Sequence, residues 1–232
     1  MKNIRVVDLT SVLSGPFCTW LLSTLGAEVI KVESPKGDLA RGTPPFEDGV
    51  SLYFASLNRN KRSIVLNLKS EGGRRALQRL LETADVLVEN MRPGVRDRLG
   101  CSDENLKQIN PNLICASISG FGQKGSLSQR PAYDIVVQAM SGMMSVNGPL
   151  GGPPTRVGYS VGDISAALFT TIGILQRLYE RDANGGGPPF QGGLPPLDFG
   201  CCCGSARQDG AYAEPFSFAA FVAETASRLT LS

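Results

Sequence analysis

There is no histidine among the 232 residues of the chain. That absence excludes any Ser-His-Asp or Cys-His arrangement built within it. It equally excludes a His-ligated zinc or iron site. Acid–base and nucleophilic work falls to Asp, Glu, Lys, Tyr, Cys or Ser. Long hydrophobic runs are also missing, since no stretch reaches the roughly 18 consecutive apolar residues of a membrane helix. No charge of one sign dominates: 23 basic and 21 acidic residues leave a net +2. That balance predicts neither nucleic acid nor membrane as a partner, and leaves room for a local basic groove facing one anionic small molecule. The opening Met-Lys-Asn-Ile-Arg lacks the layout of a signal peptide, so cytoplasm is the expected compartment. The six cysteines form no CxxC pair: Cys18, Cys101 and Cys115 are scattered, and Cys201, Cys202 and Cys203 are adjacent. Reduced thiols are expected, with no metal site and no disulfide framework.

What is there reads as α/β. The length permits one sizeable domain or two small ones. Ile4 to Leu9 is a short apolar run, a buried-strand pattern. Pro16 suits the first turn of a helix running to about Leu25, stopped by Gly26. Ala27 to Val32 is a second strand, which completes a βαβ unit. Further strands are expected at Ser63 to Leu68, Asp85 to Val88 and Leu113 to Ser119. A helix is expected from Ser70 to Thr83, with Leu77, Leu80 and Leu81 on one face. A long helix from about Ile164 to Arg181 carries an apolar face of Ala167, Leu168, Thr171, Ile174, Leu175 and Leu178. The pattern is a Rossmann-like open parallel sheet with flanking helices. Its character changes near Asn184. Residues 188–200 hold four prolines and three glycines, and the tail from 184 carries a net −2 against +4 for residues 1–183. Phe216 to Ala226 suits a weak helix, and the rest of the tail reads as loop or disorder.

Three places suit chemistry. The turn Ser11-Val12-Leu13-Ser14-Gly15-Pro16 joins the first strand to the first helix, where open α/β sheets bind ligands and where helix N–H groups favour phosphate. It lacks GxGxxG, which argues against a nicotinamide cofactor. A basic cluster at Asn58-Arg59-Asn60-Lys61-Arg62-Ser63 is a solvated surface or a polyphosphate contact. Val88-Glu89-Asn90-Met91-Arg92-Pro93-Gly94 follows a strand, with Arg96 and Arg98 close behind. Lys61 and Arg62 would join that edge if near it in space. The outstanding carboxylate is Asp163, preceded by Gly162 at the start of the long helix. One reading is an N-cap. The other is a nucleophile, held ionised by the helix end, with the glycine leaving room for a reacting carbon.

At these residues the sequence resembles the class III CoA-transferases, the family of formyl-CoA transferase and the carnitine CoA-transferase type. The matching stretches include Gly15-Pro16-Phe17-Cys18, Leu25-Gly26-Ala27-Glu28-Val29-Ile30-Lys31-Val32-Glu33 and Gly37-Asp38-Leu39-Ala40-Arg41-Gly42. They continue with Asn60-Lys61-Arg62-Ser63, Ala84-Asp85-Val86-Leu87-Val88-Glu89-Asn90, Arg92-Pro93-Gly94, Tyr133-Asp134 and Gly162-Asp163. Their order and spacing hold over about residues 1–183, the N-terminal part of the family's large domain.

The resemblance implies transfer of coenzyme A from an acyl-CoA to a carboxylic acid. Asp163 would be the nucleophile, passing through an aspartyl anhydride and an aspartyl-CoA thioester. It places Val12, Leu13, Ser14, Leu66, Asn90, Met91, Arg98 and Lys61 at the coenzyme, and Tyr133 and Asp134 at the acyl group. CoA enters as substrate, with no covalently bound cofactor. An interlocked homodimer is implied as well. The related 2-methylacyl-CoA racemases resemble two-base enzymes whose histidine falls on Tyr133 here, so the absent histidine speaks for transfer. Members run nearly twice this length. Residues 184–232 are therefore expected to be a non-matching tail, like translation in a shifted frame. The alternative reading is a truncated, inactive remnant that only binds CoA or a partner chain.

Overall fold

The computed structural model describes residues 1–123 and 125–183 and the backbone of 197–200. The first half runs β1 (Arg5–Asp8), α1 (Ser14–Thr24), β2 (Glu28–Glu33), β3 (Phe46–Glu47), β4 (Val50–Ser51), α2 (Leu52–Asn58), β5 (Lys61–Val65), α3 (Glu71–Leu81) and β6 (Val86–Glu89). The rest is α4 (Val95–Arg98), α5 (Asp103–Ile109), β7 (Ile114–Ser119), α6 (Asp134–Met140), α7 (Val161–Ala183) and β8 (Leu197–Gly200). Six strands form one parallel sheet in the order β5-β2-β1-β6-β7-β8. Strands β3 and β4 pair separately as an antiparallel hairpin. The expected open parallel sheet with flanking helices is what the chain forms.

Side-chain alternation explains the layers. Val6 and Val7 are both fully buried but face opposite sides of β1. Val6 packs with Cys18, Leu22, Ala167, Ile174 and Leu178, from α1 and α7. Val7 packs with Leu77, Leu81 and Leu106, from α3 and α5. Strands covered on both faces read as unbroken apolar runs, which is why they were visible in the sequence. Gly15 lets α1 start hard against the end of β1: a Cβ there would lie 2.3 Å from Thr10 Cβ. Gly26 takes φ 95° after α1, the left-handed exit that glycine supplies. Ser70 caps α3 by accepting from the Gly73 N–H at 3.1 Å.

Three expectations need correction. Strand β5 is Lys61–Val65 rather than 63–68, because the Lys61 side chain turns inward to Asp8 while its backbone pairs in register with β2, and Ser70 and Asn67 already form the turn into α3. Within the tail expected as loop, Leu197–Gly200 pairs with β7 as a parallel strand; backbone pairing supplies it, and hydrophobic patterning does not report that. The cysteines 201–203 and the helix expected at 216–226 lie outside the described residues. On α7, Ala167, Thr171, Ile174 and Leu178 are buried as expected, but Leu168 is 44% exposed beside Phe169, Ile172 and Tyr179. Among the described residues no helix is long and apolar enough to cross a membrane.

At the C-terminal end of β1 the core is polar. Asp8 is fully buried. Its carboxylate lies 3.0 Å from Lys61 Nζ and accepts from the Thr19 hydroxyl at 2.7 Å and the Thr10 N–H at 2.9 Å. Burial pushes the Asp8 carboxyl up, and Lys61, Lys31 and the two hydroxyls outweigh it, so the group sits below its ordinary 3.8. Asp8→Ala strands a buried ammonium. It should cost about 3–5 kcal/mol in urea unfolding at pH 7. That margin, fully present above about pH 4 for wild type, should be lost as pH falls through the depressed native value.

Candidate active site

The sheet order reverses between β1 and β6: β2 and β5 lie on one side, β7 and β8 on the other. A crevice at such a switch point follows from the turns diverging. Here it is a cleft of about 330 Å³. The turn after β1 lines it with Ser11, Val12, Leu13 and Ser14, and the turn after β6 with Asn90, Met91, Arg92 and Pro93. Ser119 at the end of β7 and Gly120 after it, then Tyr133, Asp134 and Asp163, close the other wall.

Asp163 is the third residue of α7, which starts at Val161, so it is not the N-cap. Among the described residues no hydrogen bond or ion pair engages its carboxylate. Burial first and the neighbouring Asp134 carboxylate second push Asp163 up to about 6 from its ordinary 3.8. Desolvation thus outweighs the helix dipole, and the helix end holds the group ionised less firmly than an exposed aspartate would be. Gly162 has a different use from the expected one. A Cβ there would lie 2.8 Å from Val137 Cγ1 and 3.1 Å from Asp134 Oδ1, so its bareness admits α6, not substrate. Its N–H donates to Asp134 Oδ1 at 2.8 Å, while Gln138 Nε2 donates to Asp134 Oδ2 at 2.6 Å. Asp134 thus anchors the first turn of α7. Gln138, 1% exposed, also accepts from the Val157 N–H at 2.7 Å. No sequence signal distinguished it from an ordinary helix-surface glutamine.

The turn opposite is held tightly. Asn90 accepts from the Ser11 N–H at 2.9 Å and donates to the Ser11 carbonyl at 2.8 Å. Val12 takes φ 69°, an outlier for a β-branched residue costing about 1–3 kcal/mol. Leu13 precedes α1 without a side-chain cap, so the first N–H groups of the helix lack the usual partner beside the cleft. Such an end favours a phosphate or an oxyanion.

Eight of the eleven expected site residues share this cleft: Val12, Leu13, Ser14, Asn90, Met91, Tyr133, Asp134 and Asp163. Three do not line it. Leu66 is half-buried and packs against the core on the α3 side of the sheet. Arg98 is exposed on α4. Lys61 is 1% exposed and donates to Asp8, Thr19, Asn58 and the Pro16 carbonyl, so a phosphate contact does not fit it. Arg62 does not join the edge either, being paired with Glu28 at 3.0 Å. Arg96 turns toward Asp103 and Cys115. The cleft's cations are Arg92, seen in the sequence but given no role, and Arg130, which was missed. Arg130 lies in a turn-rich stretch, and only its place after β7 pointed to the edge.

A family model described as CoA-transferase family III matches residues 1–191. The chain belongs to CoA-transferase family III. It is 50% identical over 211 residues to acetyl-CoA:oxalate CoA-transferase of Acetobacter aceti, covering 88% of this chain and 54% of that protein. It is 44% identical to succinyl-CoA:mesaconate CoA-transferase of Haloarcula marismortui, covering 81% and 50%. A solved CAIB/BAIF family protein from Brucella suis superposes with a TM-score of 0.80 at 37% identity, covering 87% of this chain and 53% of that one. This family III chain spans about half the length of the curated relatives it matches.

The raised value at Asp163 has a stability consequence in this family III fold. The native carboxyl favours its proton more than the unfolded one does, so native stability is lost as pH rises from about 4 to about 6. Asp163→Asn escapes that loss. It should be more stable than wild type by about 1–3 kcal/mol at pH 8 and indistinguishable below about pH 4, read by urea unfolding at the two pH values.

Proposed function

We propose that this chain transfers coenzyme A from an acyl-CoA donor to a carboxylic acid acceptor, with the Asp163 carboxylate as nucleophile. The observation that carries the reading is an unengaged carboxylate, raised to about 6, in the cleft that also holds the uncapped start of α1. A carboxylate of that basicity is largely ionised at neutral pH and is a better nucleophile than an ordinary aspartate. Asp163 attacks the thioester carbonyl, the C–S bond breaks, and CoA thiolate leaves with the electron pair. The thiolate then attacks the aspartyl carbonyl of the mixed anhydride and releases the donor acid. The acceptor carboxylate displaces the thiolate from the aspartyl-CoA thioester. Finally the thiolate takes the acceptor's acyl group and frees Asp163. Each step exchanges carboxylate for thiolate, so no histidine is required.

In this reading Val12, Leu13, Ser14, Asn90 and Met91 surround the coenzyme, and Tyr133 borders the acyl group. Arg92 and Arg130 supply the positive charge that Lys61 does not. The acceptor is a small acid, as in the names of the relatives. The chain works as a homodimer in the cytoplasm. A second reading, a remnant that binds CoA without turnover, is favoured by one fact: the chain spans about half the length of its relatives.

Incubation with an acyl-CoA and hydroxylamine separates the two. Transfer predicts a hydroxamate at Asp163 in the mass spectrum and a loss of at least about 10³-fold in CoA exchange for Asp163→Ala. An unmodified mass with retained CoA binding supports the remnant, and full exchange by Asp163→Ala overturns the nucleophile. The rate should fall below about pH 6 as Asp163 protonates. Asp134→Asn removes the neighbouring negative charge and keeps an acceptor for Gly162, so the acid limb should move to lower pH. An unmoved limb would assign it to another group.

A further inference from the structure

The left-handed backbone of Val12 is held by two residues far from it in sequence, and neither lines the cleft. Asp38 Oδ1 accepts the Val12 N–H at 3.2 Å. Asp38 Oδ2 lies 2.8 Å from Lys31 Nζ, as an ion pair outside hydrogen-bond geometry, and both side chains are 1% exposed. Lys31 Nζ in turn donates to the Thr10 carbonyl at 2.9 Å. The pair therefore touches the turn at two points, Thr10 directly and Val12 through Asp38. Asp38 is itself fixed: its N–H donates to Glu33 Oε2 at 3.1 Å, and Oδ1 also accepts from the Ala40 N–H at 2.9 Å. A valine does not stay at φ 69° unless its surroundings over-determine it.

We propose that the buried Lys31–Asp38 ion pair is a positioning device for coenzyme recognition, which locks Val12 in the left-handed state so that the turn presents the start of α1 to the ligand. Only the identity of the ligand rests on the CoA-transfer reading. A pair that merely stabilised the fold would change the melting temperature and leave the affinity of the folded protein alone. A positioning pair changes affinity, and does so through residue 12. Glycine visits φ near 69° at no steric cost, so a turn with Val12→Gly has less need of the lock.

The test is a double-mutant cycle read by calorimetric titration with free CoA. Asp38→Ala should weaken CoA binding about tenfold or more in the Val12 background and less than about threefold in the Val12→Gly background. Equal losses in the two backgrounds, or no loss, overturn the proposal. If Asp38→Ala does not fold, Asp38→Asn replaces it, since it keeps an acceptor and drops the charge facing Lys31. The same coupling, at about threefold or more, is then required. A wild-type chain that binds no CoA overturns the functional reading instead. In that event the Val12 amide decides: its hydrogen exchange should be at least about tenfold faster in the Asp38 variant, and an unchanged rate sinks the lock.

Discussion

A carboxylate held between two buried lysines organises this chain. Asp8 ends β1 at the point where the sheet order reverses. Lys61 reaches it from β5, across β2, and Lys31 approaches it from β2. Each lysine also grips one end of the turn that follows: Lys31 at the Thr10 carbonyl and Lys61 at the Pro16 carbonyl. Charges so deep are expensive unless paired and fully hydrogen-bonded, and here Asp8, Asp38, Thr10, Thr19 and Asn58 share the task. The arrangement fixes the turn from below, on the side away from the cleft it lines. The shape of the cleft's floor and the integrity of the fold therefore draw on the same few buried contacts.

Two walls of the cleft are built by different means. The β1 turn rests on ions. The α7 wall rests on one bare glycine and one buried amide: Gly162 admits α6, and Gln138 ties Asp134 to the segment at Val157. Asp134 then does two things to its neighbour. It accepts from the Gly162 N–H, which places Asp163, and its charge raises the Asp163 pKa. Position and reactivity of the candidate nucleophile thus share one cause.

The parts legible in the sequence were those with local signals. Apolar runs bounded by turns gave β1, β2, β6 and β7 within a residue or two, because a doubly covered parallel strand must be apolar on both faces. Gly26 marked the end of α1 because only a left-handed exit fits there. Ordered motifs brought eight of the eleven expected residues to one cleft, since the turns of a parallel sheet all end at one edge. What was not legible depends on depth. Lys61 looked like surface because a lysine in a basic cluster normally is, and only an aspartate fifty-three positions away turns it inward. The hairpin β3–β4 was missed although Asp48-Gly49, both at positive φ, is a known hairpin pair. Gln138 and β8 owe their places to tertiary hydrogen bonds that no local pattern encodes.

The long helix has one further consequence. Asp163 sits at its first turn, and Arg181 near its far end is pinned to Asp85 at 2.8 Å. At 1.5 Å per residue the two are about 27 Å apart. The helix therefore ties the N-terminal edge of the sheet, at Asp85, to the cleft at the C-terminal edge. A tilt of about 2° about the Arg181 end would carry the Asp163 carboxylate roughly 1 Å. Leu168, Phe169 and Ile172 are exposed on this same helix, so whatever covers that flank packs on the element that carries Asp163.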